Sequence, residues 1–241
     1  MPLELSEIDA AVDFPALTRC LLESYNDPVQ SFVNVYLSPR GENESANEER
    51  VKEAANRFAE WHAHDPSSYW QKVVDTGTGE IVGGALWNIH HDNPFAQPEG
   101  LEATWFPGSG SRRFAEEFLR QYSIPRALVG QKPQVYLFII FTRPDYRHKG
   151  VAQQFMSWGV NKADQLGVEM FLDATPMGKP LYEANNFVLI KENIIAPETN
   201  TPDESWKKLK SQVGKVPFYL MWRPVNGVYV EGKTILPGRK E

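Results

Sequence analysis

The sequence has almost no cysteine: Cys20 is the only one in 241 residues, so no internal disulfide can form and a reducing, cytoplasmic setting is expected. Cys20 sits in the apolar pattern Leu17, Cys20, Leu21, which reads as a buried structural thiol rather than a nucleophile. Basic charge is not in excess either. Lys and Arg number 25 against 31 Asp and Glu, a formal net charge of -6, which argues against a general surface for DNA or RNA. Long apolar runs are missing: the longest, Val135 to Phe141, is far too short to span a bilayer. Met1 to Ala10 holds Glu4, Glu7 and Asp9 and lacks both a basic start and an apolar stretch, so it is not read as a secretory signal. Repeats and low-complexity tracts are also absent. The expectation is a monomer or homodimer that works without nucleic acid or membrane.

What is present is material for a core. Hydrophobic residues make up 41% and aromatics 12% of the chain, too much for disorder. One domain spanning 1–241 is expected, with an insert at 91–132 and a tail at 224–241. Asp13 is placed to cap a helix to about Tyr25, with Phe14, Leu17, Leu21 and Tyr25 on one face, and Asn26-Asp27-Pro28 to stop it. After a polar loop from Pro39 to Asn47, a second helix runs from Glu48 to Ala63, with Val51, Ala55, Phe58 and His62 inward. A hairpin follows: Tyr69 to Asp75, the turn Thr76-Gly77-Thr78-Gly79, and Ile81 to His90, in which Gly83-Gly84 marks a bulge or a close approach of backbone. The segment 91–132 is rich in Pro and Gly, holds a short amphipathic helix from Arg112 to Tyr122, and separates two strands as a lid would.

Val135 to Thr142 is apolar throughout and reads as a central strand. A tight loop, Arg143 to Gly150, leads to a helix from Val151 to Leu166 that Gly167 closes. Then come a strand from Val168 to Thr175, a short helix from Lys179 to Asn185, and a strand from Phe187 to about Ile195. Thr199 to Val216 reads as polar loop with a helical turn near Trp206, before a last strand from Pro217 to Arg223.

The chemistry concentrates where the central strand feeds the helix through Arg147-His148-Lys149-Gly150-Val151-Ala152. Free amides at a helix N-terminus, with the positive end of its dipole, bind phosphate. Gly150 removes a side chain where a ligand must come close, and the three basic residues add charge. The loop is neither a Walker loop nor a dinucleotide fingerprint, since the glycines of both are missing. Taken alone it is equally an ordinary strand-to-helix turn.

Further residues give the loop a context. Arg147-x-x-Gly150-x-Ala152 after a buried strand, then Tyr182-Glu183 and Phe187 after the next strand, resemble the GNAT superfamily of acetyltransferases. The close match covers about Gln134 to Leu189. Thr142 stands for the usual Val, Ala152 for the second loop Gly, and Asn186 for the Gly of the last turn, where Asn tolerates positive φ. The Trp-rich hairpin and the long insert look most like the family's fungal small-molecule branch.

The resemblance implies an α/β (α+β) fold: a mixed, largely antiparallel central sheet flanked by helices, with the long insert before the central strand. It implies acetyl-CoA as cosubstrate, its pyrophosphate on the amides of Arg147 through Ala152 (that is, Arg147, His148, Lys149, Gly150, Val151 and Ala152). The pantetheine arm would lie along Ile140, Phe141 and Thr142, and Thr175 and Tyr182 complete the cofactor-binding set. A backbone amide of the central strand would polarise the thioester carbonyl. Tyr182 would protonate the departing thiolate. The reaction implied is direct acetyl transfer to a primary amine of a small molecule or peptide, in a ternary complex, with no metal. Candidate bases are Asp173, His90 and His91, each of which also has a plain structural reading. Three alternatives stay open: a transferase using another acyl-CoA or a hydroxyl acceptor, a non-catalytic acyl-CoA-binding module, and a generic phosphate-binding protein. Phe95, Trp105, Phe106 and Trp87 fit an aromatic acceptor pocket or simple packing equally.

Overall fold

The structure is a computed structural model, and it describes residues 2–37, 44–96, 102–106 and 109–238. Its strands form one sheet in the order β1-β2-β3-β4-β5-β7-β6. β1 (Leu3–Glu7) pairs antiparallel with β2 (Ser68–Asp75), and β2 with β3 (Glu80–His90). The turn between them is closed by Asp75, whose carbonyl accepts from Gly79 N–H at 2.7 Å and whose carboxylate accepts from Gly77 N–H at 2.9 Å. β3 pairs antiparallel with β4 (Gln134–Thr142). β4 and β5 (Glu169–Ala174) are parallel, as a helical crossover through α5 (Val151–Leu166) requires. β7 (Val216–Arg223) then inserts antiparallel between β5 and β6 (Val188–Ile195). The mixed, largely antiparallel sheet flanked by helices is the architecture expected from the sequence.

Each face of the sheet has its own core. α5 covers one face, where Phe155, Met156 and Ala163 pack on Trp87, Val135 and Leu172. The other face carries α1 (Phe14–Asn26), α3 (Glu44–His64), α4 (Ser109–Ala127) and α7 (Glu204–Val213). There Phe14, Leu17, Phe58, Phe114, Phe118 and Trp206 form a larger cluster. Two short helices, α2 (Val33–Tyr36) and α6 (Lys179–Glu183), complete the fold. Farther along the sheet, Tyr229 and Leu236 of the tail pack over Tyr136, Phe171 and Trp222. Among the described residues, no helix is long and apolar enough to cross a membrane.

Several elements differ from the sequence reading. β1 has no counterpart in it. α3 begins at Glu44 rather than Glu48, while 38–43 of the expected loop lie outside the described residues. α4 extends to Ser109 and Ala127 beyond the short helix expected, and 97–101 and 107–108 of that segment lie outside the described residues. Where a loop was expected, α7 is a full helix: Asp203 caps it through Trp206 N–H at 2.9 Å, and Trp206, Leu209 and Val213 bury one face. Its polar composition hides those three anchors. Asp13 does hold the N-cap position of α1, but its carboxylate goes to Lys72 Nζ at 2.5 Å instead of capping the helix. Cys20 is buried, and burial pushes its thiol up to about 12, as a structural role implies.

Trp87, Trp105 and Phe106 prove to be packing residues. Trp87 is fully buried with its indole N–H on Gln71 at 2.9 Å, and the Trp105 indole donates to the Val35 carbonyl at 2.9 Å. Phe106 is also fully buried in the larger core. Gly159 of α5 is what lets the helix close on Trp87: a Cβ there would lie 2.2 Å from the ring. Gly159→Ala gains up to about 1 kcal/mol of helix propensity but overpacks at a typical cost of about 1–3 kcal/mol. The expected result is a net loss of about 1–2 kcal/mol in urea unfolding; a more stable variant would contradict the packing described.

Candidate active site

β4 and β5 pair only from Gln134/Glu169 to Leu137/Leu172. Beyond that point β4 stays with β3 as far as Thr142, and β5 stays with β7 as far as Ala174, so the two strands part. The β3–β4 register shifts between Leu86 and Trp87, leaving Phe138 as an extra residue at the parting. Such a bulge bends a strand and sharpens its twist. Arg143 N–H bonds back to Val82 across β3 at 2.9 Å. By strand alternation Phe141 also faces β3, while Ile140 and Thr142 turn their N–H and C=O groups into the opening. The Ile140 carbonyl is met there by the Tyr25 hydroxyl at 2.8 Å. A cavity of about 410 Å³ occupies the opening, with Ile140, Phe141 and Thr142 on one wall and Asp173, Thr175 and Tyr182 on the other.

The same cavity runs to the N-terminus of α5, past Arg147, His148, Gly150, Val151 and Ala152. His148 and Gly150 take positive φ, 59° and 86°, which curls the loop around the helix end. The first intrahelical bond is Gln154 N–H to Gly150 C=O at 3.1 Å. The amides of Val151, Ala152 and Gln153 precede it and lie at the positive end of the helix dipole. A Cβ at Gly150 would meet nothing within 4 Å. Side chains brace the loop from outside. Tyr146 donates to Asp75 at 2.9 Å, and Arg147 donates to the Ser24 carbonyl at 2.8 Å. Lys149 lies over the Tyr146 ring at 5.0 Å and, unlike its neighbours, is not on the cavity wall.

Tyr182 comes from α6 and the turn after it. Asn186 takes φ 65°, the left-handed conformation expected of its position, and returns the chain so that Phe187 meets the Tyr182 ring at 6.1 Å. Thr175 accepts from Gly178 N–H at 3.2 Å, and the missing Cβ of Gly178 would stand 3.0 Å from that ring. Tyr182 is 6% exposed, and burial pushes its phenol above the ordinary value, so it stays protonated at neutral pH.

Asp173 lines the cleft, its side chain 1% exposed. Its Oδ2 accepts from Arg126 at 3.1 Å and from the Tyr136 hydroxyl at 3.1 Å; that hydroxyl also meets Tyr122 at 2.9 Å. Among the described residues, Oδ1 has no hydrogen-bond partner. Burial raises the Asp173 carboxyl, while Arg126 and Tyr136 pull it down. His90 and His91 are not on the cavity wall, and burial lowers His90. Among the described residues, no three His, Cys, Asp or Glu side chains gather as metal ligands. Five aromatic wall residues escape the sequence reading as a group: Tyr25, Phe32, Tyr122, Phe138 and Phe218. They come from α1, the cap of α2, α4, β4 and β7, and no local pattern joins them.

The cleft is thus a strand pair that parts over a helix N-terminus without a side-chain cap. The model of the acetyltransferase (GNAT) family matches residues 29–187, and the chain belongs to that family. No curated protein is significantly similar to it in sequence. Solved structures share the fold at low identity. The C-terminal condensation domain of Ebony, in complex with β-alanyl-dopamine, is 14% identical with a TM-score of 0.59, over 93% of this chain and 100% of that one. The Drosophila melanogaster polyamine N-acetyltransferase is 12% identical with a TM-score of 0.56, over 93% and 100%. A histone acetyltransferase HPA2 and related acetyltransferase from Corynebacterium glutamicum is 18% identical with a TM-score of 0.56, over 93% and 97%.

The loop geometry generates a direct test. Gly150→Glu sets a non-glycine side chain at φ 86° and a negative charge at the helix N-terminus. Affinity for CoA, read by calorimetry, should fall at least about 100-fold while the far-UV spectrum stays native. Unchanged affinity in the folded variant would remove the loop from the binding site.

Proposed function

We propose that this chain transfers the acetyl group of acetyl-CoA to a primary amine of a small molecule or peptide, by direct attack in a ternary complex. The observation that carries this reading is the continuity of one cavity. It runs from the outward-facing backbone of Ile140 and Thr142 to the amides of Val151, Ala152 and Gln153. An extended amide-bearing arm can add to β4 where β5 has left it, and a pyrophosphate can rest on the helix end. One strand amide then polarises the thioester carbonyl. The amine nitrogen bonds to that carbon, the C–S bond breaks, and the thiolate takes the Tyr182 proton. The incoming ammonium first gives one proton to Asp173, directly or through water, and the second proton its nitrogen sheds on forming the amide restores the Tyr182 hydroxyl.

Asp173 is preferred as base over His90 and His91 because it lies on the cavity wall with Oδ1 unshared among the described residues. In this reading the enzyme is a cytoplasmic, single-domain protein. The likeness to a fungal small-molecule branch rests on the hairpin and on segment 91–132. That segment acts as the lid-like element, through Tyr122 and Arg126 rather than Trp105 and Phe106.

Tyr182→Phe keeps the ring and removes the hydroxyl. The proton-donor role predicts a kcat loss on the order of 100-fold with little change in acetyl-CoA affinity; near-normal turnover would return Tyr182 to a packing role. Asp173 works as a base only when ionised, so kcat/KM should fall as pH drops through its raised pKa. That acid limb should lie above the ordinary carboxylate range of about 4 and should vanish in Asp173→Asn. An acid limb unchanged in the folded variant would assign the proton to another group.

A further inference from the structure

The wall of the cavity beyond the thioester position lies on the sheet face opposite α5. There the aromatic residues form a chain of edge-to-face contacts. Tyr25 meets Phe32 at 5.2 Å, Phe32 meets Phe218 at 5.4 Å, and Phe218 meets Tyr122 at 5.1 Å. The Tyr122 hydroxyl meets that of Tyr136, whose ring stands 6.2 Å from Phe138. Each of Tyr25, Phe32, Tyr122, Phe138 and Phe218 also lines the cavity. The rings therefore bound an apolar space from several sides, and they brace one another rather than collapsing into it.

The charge inside this box is small and specific. Asp173 is the one carboxylate among the described wall residues, and Arg126 already pairs with it through Oδ2. Oδ1 can accept from one more donor. A single ammonium is served by that oxygen. A second ammonium along the acceptor would be buried against aromatic rings with no carboxylate of its own, and an acidic group would face Asp173; both carry an uncompensated desolvation cost. An aromatic ring, by contrast, gains buried area and edge-to-face contacts with the box. The cavity of about 410 Å³ must also hold the acyl end of the donor, which limits the acceptor to one compact ring system.

We infer that the acceptor is a primary monoamine carried on a compact aromatic body, its ring seated among Tyr25, Phe32, Tyr122, Phe138 and Phe218 and its amine directed to Asp173 Oδ1. The inference rests on the acetyltransferase reading above and adds the substrate class to it. It also separates this cleft from one built for a diamine or polyamine, which needs further carboxylates along the wall.

The test compares 2-phenylethylamine, spermidine and glutamate as acceptors with acetyl-CoA, following thiol release, alongside calorimetry of each amine in saturating CoA. The expected result is a kcat/KM for 2-phenylethylamine about 100-fold above those of the other two, the scale on which pockets reject an ill-matched group. Equal or better use of spermidine or glutamate would overturn the inference and leave the transferase reading standing. Binding of 2-phenylethylamine without turnover of any amine would support the aromatic site and count against catalysis. Absence of 2-phenylethylamine binding would overturn the inference whatever the turnover of other amines. Phe138→Ala should raise KM for 2-phenylethylamine about tenfold and leave acetyl-CoA affinity within about twofold. Phe218→Ala serves as the second variant if the first does not fold, and an unchanged KM in a folded variant would overturn the proposal.

Discussion

Backbone polar groups must be paired, and the cleft exists because two strands that start as partners stop pairing. After Leu137 and Leu172 the parallel ladder ends, yet neither strand is loose: β3 holds β4 and β7 holds β5. The bulge at Phe138 turns β4 away at that point. Its next outward groups are left facing a cavity instead of a neighbour. Tyr25 satisfies the Ile140 carbonyl from α1, which both fixes the wall and brings an aromatic ring to it. The remaining groups are what an amide-bearing ligand would pair with.

Everything else in the site depends on holding that opening in shape. Below it, the loop before α5 is anchored at two distant places, the β2 end through Asp75–Tyr146 and the α1 end through Ser24–Arg147. The Gly77 amide and the Tyr146 hydroxyl hold the Asp75 carboxyl below its usual range, so this brace stays ionised at neutral pH. Above the opening, Arg126 of α4 reaches across to Asp173 and lies 3.5 Å over the Tyr136 ring. A buried pair of this kind costs desolvation and gains little stability. It does fix where the Asp173 carboxylate points, which is worth more to a site than to a core.

The loop and its helix were readable in the sequence because they are local: a strand, Arg147-x-x-Gly150-x-Ala152, and a helix follow one another directly. Tyr182 and Asn186 were readable for the same reason, and Asn186 does adopt the left-handed turn its position demands. The aromatic box was not readable. Tyr25 and Phe218 stand almost two hundred positions apart, a separation evident from their numbering in the chain, and only the β5-β7-β6 order brings them together. The aromatics that stand out in sequence, Trp87, Trp105 and Phe106, are large enough to be core and are used as core. α7 was hidden for a related reason: three apolar anchors in a Lys- and Ser-rich window are enough when a neighbour, Phe114, waits to receive Trp206.

The central claim is that β4, where β5 has left it, receives an extended acyl-CoA arm whose pyrophosphate lies on α5. Hydrogen exchange with and without acetyl-CoA, resolved to single amides, tests it most directly. The account predicts added protection at Ile140 and Thr142 and at Val151, Ala152 and Gln153, with the amides of β2 unchanged. Acetyl-CoA binding that leaves those amides unprotected, or protects another part of the chain, would contradict it.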